Sequence, residues 1–347
     1  MPTLSIFKTE FITVAKWAGI ILAALLGIFI LIKVVFFIKE LVSPTPPPPP
    51  TASFGKLPAI YFPDGIKKRF SYSIDTISGE LPNFPDRTKV YKMTKSGPDI
   101  LAVERASEKI KTLGFEEKPE HLSDIIYRWR SVGSSPSKNL VLNVKTGAFN
   151  LNSSFISDAG LSAKNIPDQK GAIIIAQQFL QALTLYPEDI DEEKTKTELF
   201  AIKSGVLTKA LSLSNAQLIS VYFFEKDKDD MQIVYPAGTI SSMNLVIGSG
   251  ERNPQVVDAR FSYQKISDKS GTYPIKTADE AYEQLKRGEA RIASHTGDEL
   301  SIKIKKVYLG FYVEGREQKY LIPVIVFEGN NEYVAYVPAI KDEWISK

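Results

Sequence analysis

TADEAYEQLKRG (277–288), followed by SIKIKKVYLGFYV (301–313), KYLIPVIVF (319–327) and EYVAYVPAI (332–340), is the stretch from which the fold is read. In the first segment Thr277 and Glu280 have capping-box spacing, and Ala278, Ala281, Tyr282 and Leu285 recur at helical period. Gly288 supplies the stop. The next three segments are rich in β-branched and aromatic residues and are separated by Glu314-Gly315 and Gly329-Asn330-Asn331. A helix followed by strands on short turns predicts an antiparallel sheet with that helix packed on it. Pro323 cannot donate to a ladder, so its strand is expected at an edge or with a bulge.

Upstream, the same order recurs twice. Ile100–Leu113 places Val103, Ala106, Ile110 and Leu113 on one face and stops at Gly114. Strands are expected after it over Asp124–Val132 and Leu140–Leu151, the latter a hairpin turning at Lys145-Thr146-Gly147. Gly171–Leu185 carries Ala172, Ala176, Phe179 and Leu183, and the adjoining Ile173-Ile174-Ile175 predicts near-complete burial. Strands are then expected over Glu198–Lys203, Gln217–Glu225, Met231–Tyr235, Met243–Ile247 and Val256–Ile266.

Trp17 to Ile38 is a 22-residue apolar run with one charge, Lys33. At 1.5 Å per residue it would measure about 33 Å, enough for a hydrocarbon core of about 30 Å. Trp17 suits an interfacial aromatic, and the Lys33 stem can reach the interface. A cleaved signal peptide would have a shorter apolar region and a small-residue cleavage site. The run therefore reads as a single-pass membrane anchor, with the N-terminus cytoplasmic and the large domain extracytoplasmic. Pro44 and the five prolines Pro46 to Pro50 then predict a polyproline II spacer of about 20 Å.

The fold expectation is thus α+β: an N-terminal transmembrane helix, a Pro-rich linker, and an ectodomain of repeated helix-plus-antiparallel-sheet units. The expected divisions are 1–42 for tail and anchor, 43–56 for the linker, 57–165 for a first domain and 166–347 for a second region. The second region divides near 270, leaving 271–347 as a separate module.

The chain carries 43 Lys+Arg against 40 Asp+Glu, a net charge of +3, and the part beyond residue 50 is nearer neutral still. No basic footprint for a nucleic-acid backbone stands out, and Lys67-Lys68-Arg69 reads as a solvated strand end. Cys is absent, which removes disulfides, thiolate metal sites and Cys nucleophiles. His121 and His295 read as inert residues of polar loops. Ser135-x-x-Lys138 with Lys145-Thr146-Gly147 matches penicillin-binding-protein motifs by letter, but the two elements lie too close together. Glu225 to Asp230 lacks the glycine and distal glutamate of a calcium loop and reads as a charged hairpin turn, and Glu188 to Glu193 as a solvated loop. No catalytic residue, cofactor or metal ligand is nominated.

Tyr273-Pro274-Ile275, Ala278, Glu280, Ala281 and Leu285 to Gly288 resemble the helix of PepSY-like (cystatin-like) domains. The resemblance extends, through Val307 to Tyr312, Tyr320 to Val324, Phe327 to Gly329 and Tyr333 to Ala339, to membrane-anchored extracytoplasmic proteins that accompany a cell-wall two-component sensor kinase. It covers about a fifth of the chain and rests on core apolars, turn glycines and a strand proline. It implies a regulatory role beside a sensor kinase.

The reading that results is a non-enzymatic, membrane-anchored protein-binding domain, either a sensor-kinase accessory or an envelope scaffold. Its partner would be an envelope or membrane protein or a second copy of itself, with the bilayer met through residues 17–38 and no nucleic acid bound. A sheet face or an edge strand of the C-terminal module is expected to bind, with Tyr308, Tyr312, Tyr320, Tyr333 and Tyr336 as candidate contacts. Two alternatives stay open: a module for cell-wall glycan or peptide, and an envelope hydrolase or an inhibitor of one.

Overall fold

The structure, a computed structural model, describes residues 17–18, 20–35, 49–97, 100–133, 136–157, 166–250 and 253–346. They fall in two units, Met1–Pro49 and Pro50–Lys347. In the first unit residues 20–35 are helical, with exposed apolar side chains and Lys33 Nζ 5.8 Å from the Phe29 ring. Among the described residues no helix is long and apolar enough to cross a membrane. This corrects the expected transmembrane element. Residues 36–38 of the expected span and most of the proline run (through Pro48) lie outside the described residues.

The second unit is built on two sheets. The larger is antiparallel throughout, from β3 (Glu120–Ser123), β4 (Ile126–Arg130), β5 (Lys138–Asn143) and β6 (Phe149–Ser153) to β12 (Gln255–Phe261), β11 (Met243–Gly248), β9 (Leu218–Phe223), β7 (Lys196–Lys203) and β8 (Val206–Lys209). Its halves join where Phe149 lies opposite Phe261, rings stacked at 5.3 Å. Two helices share one face of it. The helix α1 (Ala102–Thr112) brings Ile110, and α2 (Gln169–Ala182) brings Ala172, Ala176 and Leu180 onto Trp129, Leu140, Val221, Phe223 and Leu245. Asp168 caps α2, its Oδ1 accepting from the Gly171 N–H at 2.7 Å. Ile174 is 52% exposed, so α2 is buried on one side rather than throughout. By strand alternation the opposite face carries Asn139, Asn150, Asn152, Asn244 and Arg260, around a small cluster of Phe155, Leu218 and Val257.

The second sheet is ordered β1 (Ser71–Ile74), β15 (Ser301–Tyr312), β16 (Tyr320–Gly329), β17 (Val334–Pro338) and β14 (Arg291–Ser294). The strand β2 (Arg87–Met93) pairs with both β13 (Ile266–Pro274) and β16. Two short strands, β1 and β10 (Gln232–Val234), lie parallel along the free edge of β15. This sheet is covered on both faces. Ile325, Phe327, Ala335 and Val337 meet Ala281 and Leu285 of the helix α3 (Ala278–Lys286), while on the other face Val324, Val326, Val334 and Tyr336, with Tyr312 and Val234 beside them in the sheet, are packed by Ile60 and Phe62.

Repeated helix-plus-sheet units are therefore corrected. Among the described residues strand outnumbers helix about two to one. The first two helices serve one sheet, and the second sheet gathers strands from residues 71 to 338 and includes parallel pairs. Sheet membership crosses the expected divisions, since β3 to β6 share a sheet with β7, β8, β9, β11 and β12, and β1, β2 and β10 join the C-terminal strands.

Pro323 lies in a central strand, not an edge. Its carbonyl accepts from the Ala339 N–H at 3.2 Å, and the Ala339 carbonyl, which a residue with an N–H at 323 would serve, instead accepts from the Lys276 N–H at 2.8 Å. The proline thus falls at the frayed end of β17, where another donor covers the missing one.

Candidate binding surfaces

Four of the five tyrosines nominated from sequence are core residues. Tyr312, Tyr333 and Tyr336 are each 1% exposed and Tyr320 is 8% exposed. The Tyr336 hydroxyl donates to the Tyr235 carbonyl at 2.9 Å, Tyr333 and Tyr72 share a 2.9 Å hydroxyl–hydroxyl bond, and Tyr320 stacks on Phe54. Their burial corrects their nomination as contacts, because a partner cannot reach them without unpacking the sheet. Tyr308 is half-buried, its hydroxyl donating to Glu328 Oε1 at 2.6 Å. Trp17, the nominated interfacial aromatic, is 62% exposed within its own unit.

Tyr308, Glu328 and Tyr336 line a cleft of about 260 Å³ together with Glu225 and Tyr235. Glu225 ends the nominated charged run's strand side and is 4% exposed, while Asp229 and Asp230 make the tight turn in left-handed backbone. Burial, reinforced by nearby Asp189, pushes the Glu225 carboxyl up to about 8. Tyr235 donates to Glu225 Oε2 at 3.1 Å, while Oε1 has no partner among the described residues. A carboxyl in such surroundings holds its proton at neutral pH. Among the described residues no group of three His, Asp or Glu is disposed to hold a metal ion.

The histidines differ from one another. His121 is exposed at the sheet edge on β3, whereas His295 is half-buried between the rings of Phe70 and Tyr333. Lys138 is partly buried, which lowers its amine to about 8, and Ser135 lies outside the described residues.

At the β14 end the edge of the C-terminal strands is flanked, while at the other end the short β1 pairs with β15 alone among the described residues. Outside β14 the chain at Gly65–Phe70 passes alongside, with the Ile66 N–H donating to the Ile292 carbonyl at 3.3 Å. Among the described residues the larger sheet ends in two strands with a free side, the fully exposed four-residue β3 and β8, and of these β8 lies beside the longer run of exposed aliphatic side chains. Sequence reasoning passed over β8 because Val206 to Lys209 is too short to show periodicity.

Among the described residues β8 pairs with β7 alone. The Ala210 N–H donates to the Leu199 carbonyl at 2.8 Å, so by alternation Thr208 and Val206 also turn their backbone groups to β7. Leu207 and Lys209 therefore turn theirs outward. Val206 is 60% exposed, Leu207 39%, Leu211 100% and Leu213 40%. An unpaired backbone edge thus lies beside a run of exposed aliphatic side chains, the arrangement that accepts an added strand.

No family model matches this chain, and no curated protein matches it. Among solved structures it is similar to an uncharacterized protein from Eubacterium rectale ATCC 33656, at 12% identity and a TM-score of 0.33, over 74% of this chain and 84% of that one.

Proposed function

We propose that the unit Pro50–Lys347 is a non-enzymatic protein-binding module that receives an extended segment of a partner protein along β8. The observation that carries this reading is the outward backbone of Leu207 and Lys209 flanked by exposed Val206, Leu211 and Leu213. Main-chain hydrogen bonds would supply affinity and the aliphatic side chains would select the incoming residues. In this proposal the module works on the extracytoplasmic side of a membrane. The partner is an envelope or membrane protein, and the resemblance of the C-terminal strands makes a sensor kinase the first to try.

The test uses the full chain in its native membrane, with a photoreactive residue at position 207 and a control at Asn152 on the polar face. Crosslinking of one partner from 207 but not from 152 supports the proposal. The Leu207→Pro variant removes an outward N–H without touching the β7 ladder, and it should cut partner recovery roughly tenfold or more. Equal crosslinking from both positions, or full recovery with the proline variant, would overturn it. Protease access to β8 only in broken cells would refute the outer placement.

A further inference from the structure

The face of the larger sheet turned away from α1 and α2 is unusual in its side chains. Strands favour β-branched and aromatic residues and are poor in asparagine. Yet Asn139, Asn150, Asn152 and Asn244 all stand on this face, within paired strands and not at turns. Residues that weaken the strands carrying them point to a use outside folding.

Strand register gathers these side chains. Asn152 lies opposite Asn139, which lies opposite Arg130, while Asn150 is followed across the sheet by Arg260, Asn244 and Tyr222. In the next row Asp258 lies opposite Val246, and Val246 opposite Ser220. With neighbouring strands about 4.8 Å apart, the face from β4 to β7 runs about 29 Å. Phe155, Leu218 and Val257, with half-buried Phe200, give it an apolar border.

Much of the hydrogen-bonding capacity of this face is unspent. No described residue bonds the side chains of Asn139, Asn150 or Asn152, whereas Asn244 serves the Tyr222 hydroxyl. Asp258 is half-buried, which pushes its carboxyl up to about 6, and it accepts no hydrogen bond from a described residue. Arg260 is near enough to favour the Asp258 charge but forms no ion pair among the described residues. A carboxylate drawn from water without a donor is costly, and a ligand hydroxyl supplies the donor.

The mixture of groups selects the ligand. Asp258 only accepts when ionised, Arg260 only donates, and each amide does both. An anion would suit Arg260 and be repelled by Asp258, and an ammonium would meet the reverse. A hydroxyl donates and accepts at once, so an uncharged chain of hydroxyl groups satisfies all three. We propose that this face binds a neutral polysaccharide strand. Its hydroxyls are shared among Asp258, Arg260 and the asparagine amides, and its apolar ring faces lie against the Phe200 border. This use leaves the outward backbone of β8 free.

The experiment is isothermal titration calorimetry on the full chain in phosphatidylcholine nanodiscs. The probes are cellohexaose, hexa-N-acetylchitohexaose and, as the anionic counterpart, oligogalacturonate. At least one neutral hexasaccharide should bind, with an affinity that moves less than about twofold between low and high salt. Binding of cellohexaose supports a ligand of plain hydroxyls, and binding of the chitohexaose alone supports one that also carries acetamido groups. The variant Asn150→Thr with Asn152→Thr puts better strand formers on the face, so it should melt no lower than the parent. It should nevertheless bind about tenfold more weakly. Lys305→Thr, an exposed change on the other sheet, should bind as the parent does. Binding of oligogalacturonate alone, no binding of either neutral sugar, affinity lost at high salt, or full affinity in the double variant would overturn the proposal.

Discussion

The two sheets of this protein solve the same problem in opposite ways. The sheet around β16 is buried on both faces: side chains alternating along Val324 to Phe327 are inaccessible on either side, and the outer side of β14 is met by residues 65–66. The sheet that ends at β8 is open: helices cover one face, the other is largely polar, and the last strand leaves Leu207 and Lys209 unpaired. Burial on two sides gives stability and leaves nothing to offer a partner. A free edge sacrifices some stability and retains the hydrogen bonds a partner can use.

Four substitutions would break or sharpen that contrast. The largest effect belongs to the sheet buried on both faces, where Phe327 is wholly buried between Tyr282 and the strand core. Phe327→Ala should cost about 3–5 kcal/mol in urea unfolding, and a loss below 1 kcal/mol would show that this sheet is not the stable one.

Next comes Glu225, at the cleft between the layers. Its pKa is raised, so the folded chain holds the proton longer than the unfolded one, and stability falls as pH rises from about 5 towards 8. The Glu225→Gln variant removes that slope and should be more stable than the parent at pH 8 by up to about 5 kcal/mol. At pH 4 the two should agree. Identical pH profiles would mean that the carboxyl is ionised without penalty.

Smaller is the helix cap of α3, where the Thr277 side chain accepts from the Glu280 N–H at 3.1 Å and Glu280 returns a bond to the Thr277 N–H at 2.8 Å. Thr277→Ala should cost about 1 kcal/mol by thermal melting. The smallest stability change is expected at the open edge: Leu207→Ala should move stability by less than about 0.5 kcal/mol while weakening partner recovery. A large stability loss there would mean that β8 is core and not a free edge.

Much of the local structure was legible in the sequence. Helical period and end signals located all three helices of the large unit to within a few residues, and the meander of β15, β16 and β17 followed from its turn residues. What was hidden depends on residues far apart along the chain. Nothing local in Ser71–Ile74 or Gln232–Val234 announces a parallel seat on β15. Tyrosine suits both core and surface, so a tyrosine-rich sheet did not disclose which use applies. Glu225 looked like part of a solvated run until its bridge to Ile190 placed it inside.

Amide hydrogen exchange along β8 tests the central claim most directly, comparing the full chain purified alone with the chain isolated in complex with its crosslinked partner. The Leu207 and Lys209 amides should exchange freely alone and become strongly protected in the complex, while Thr208, already bonded to β7, changes little. Unchanged exchange at 207 and 209, with protection appearing on some other surface, would contradict the account.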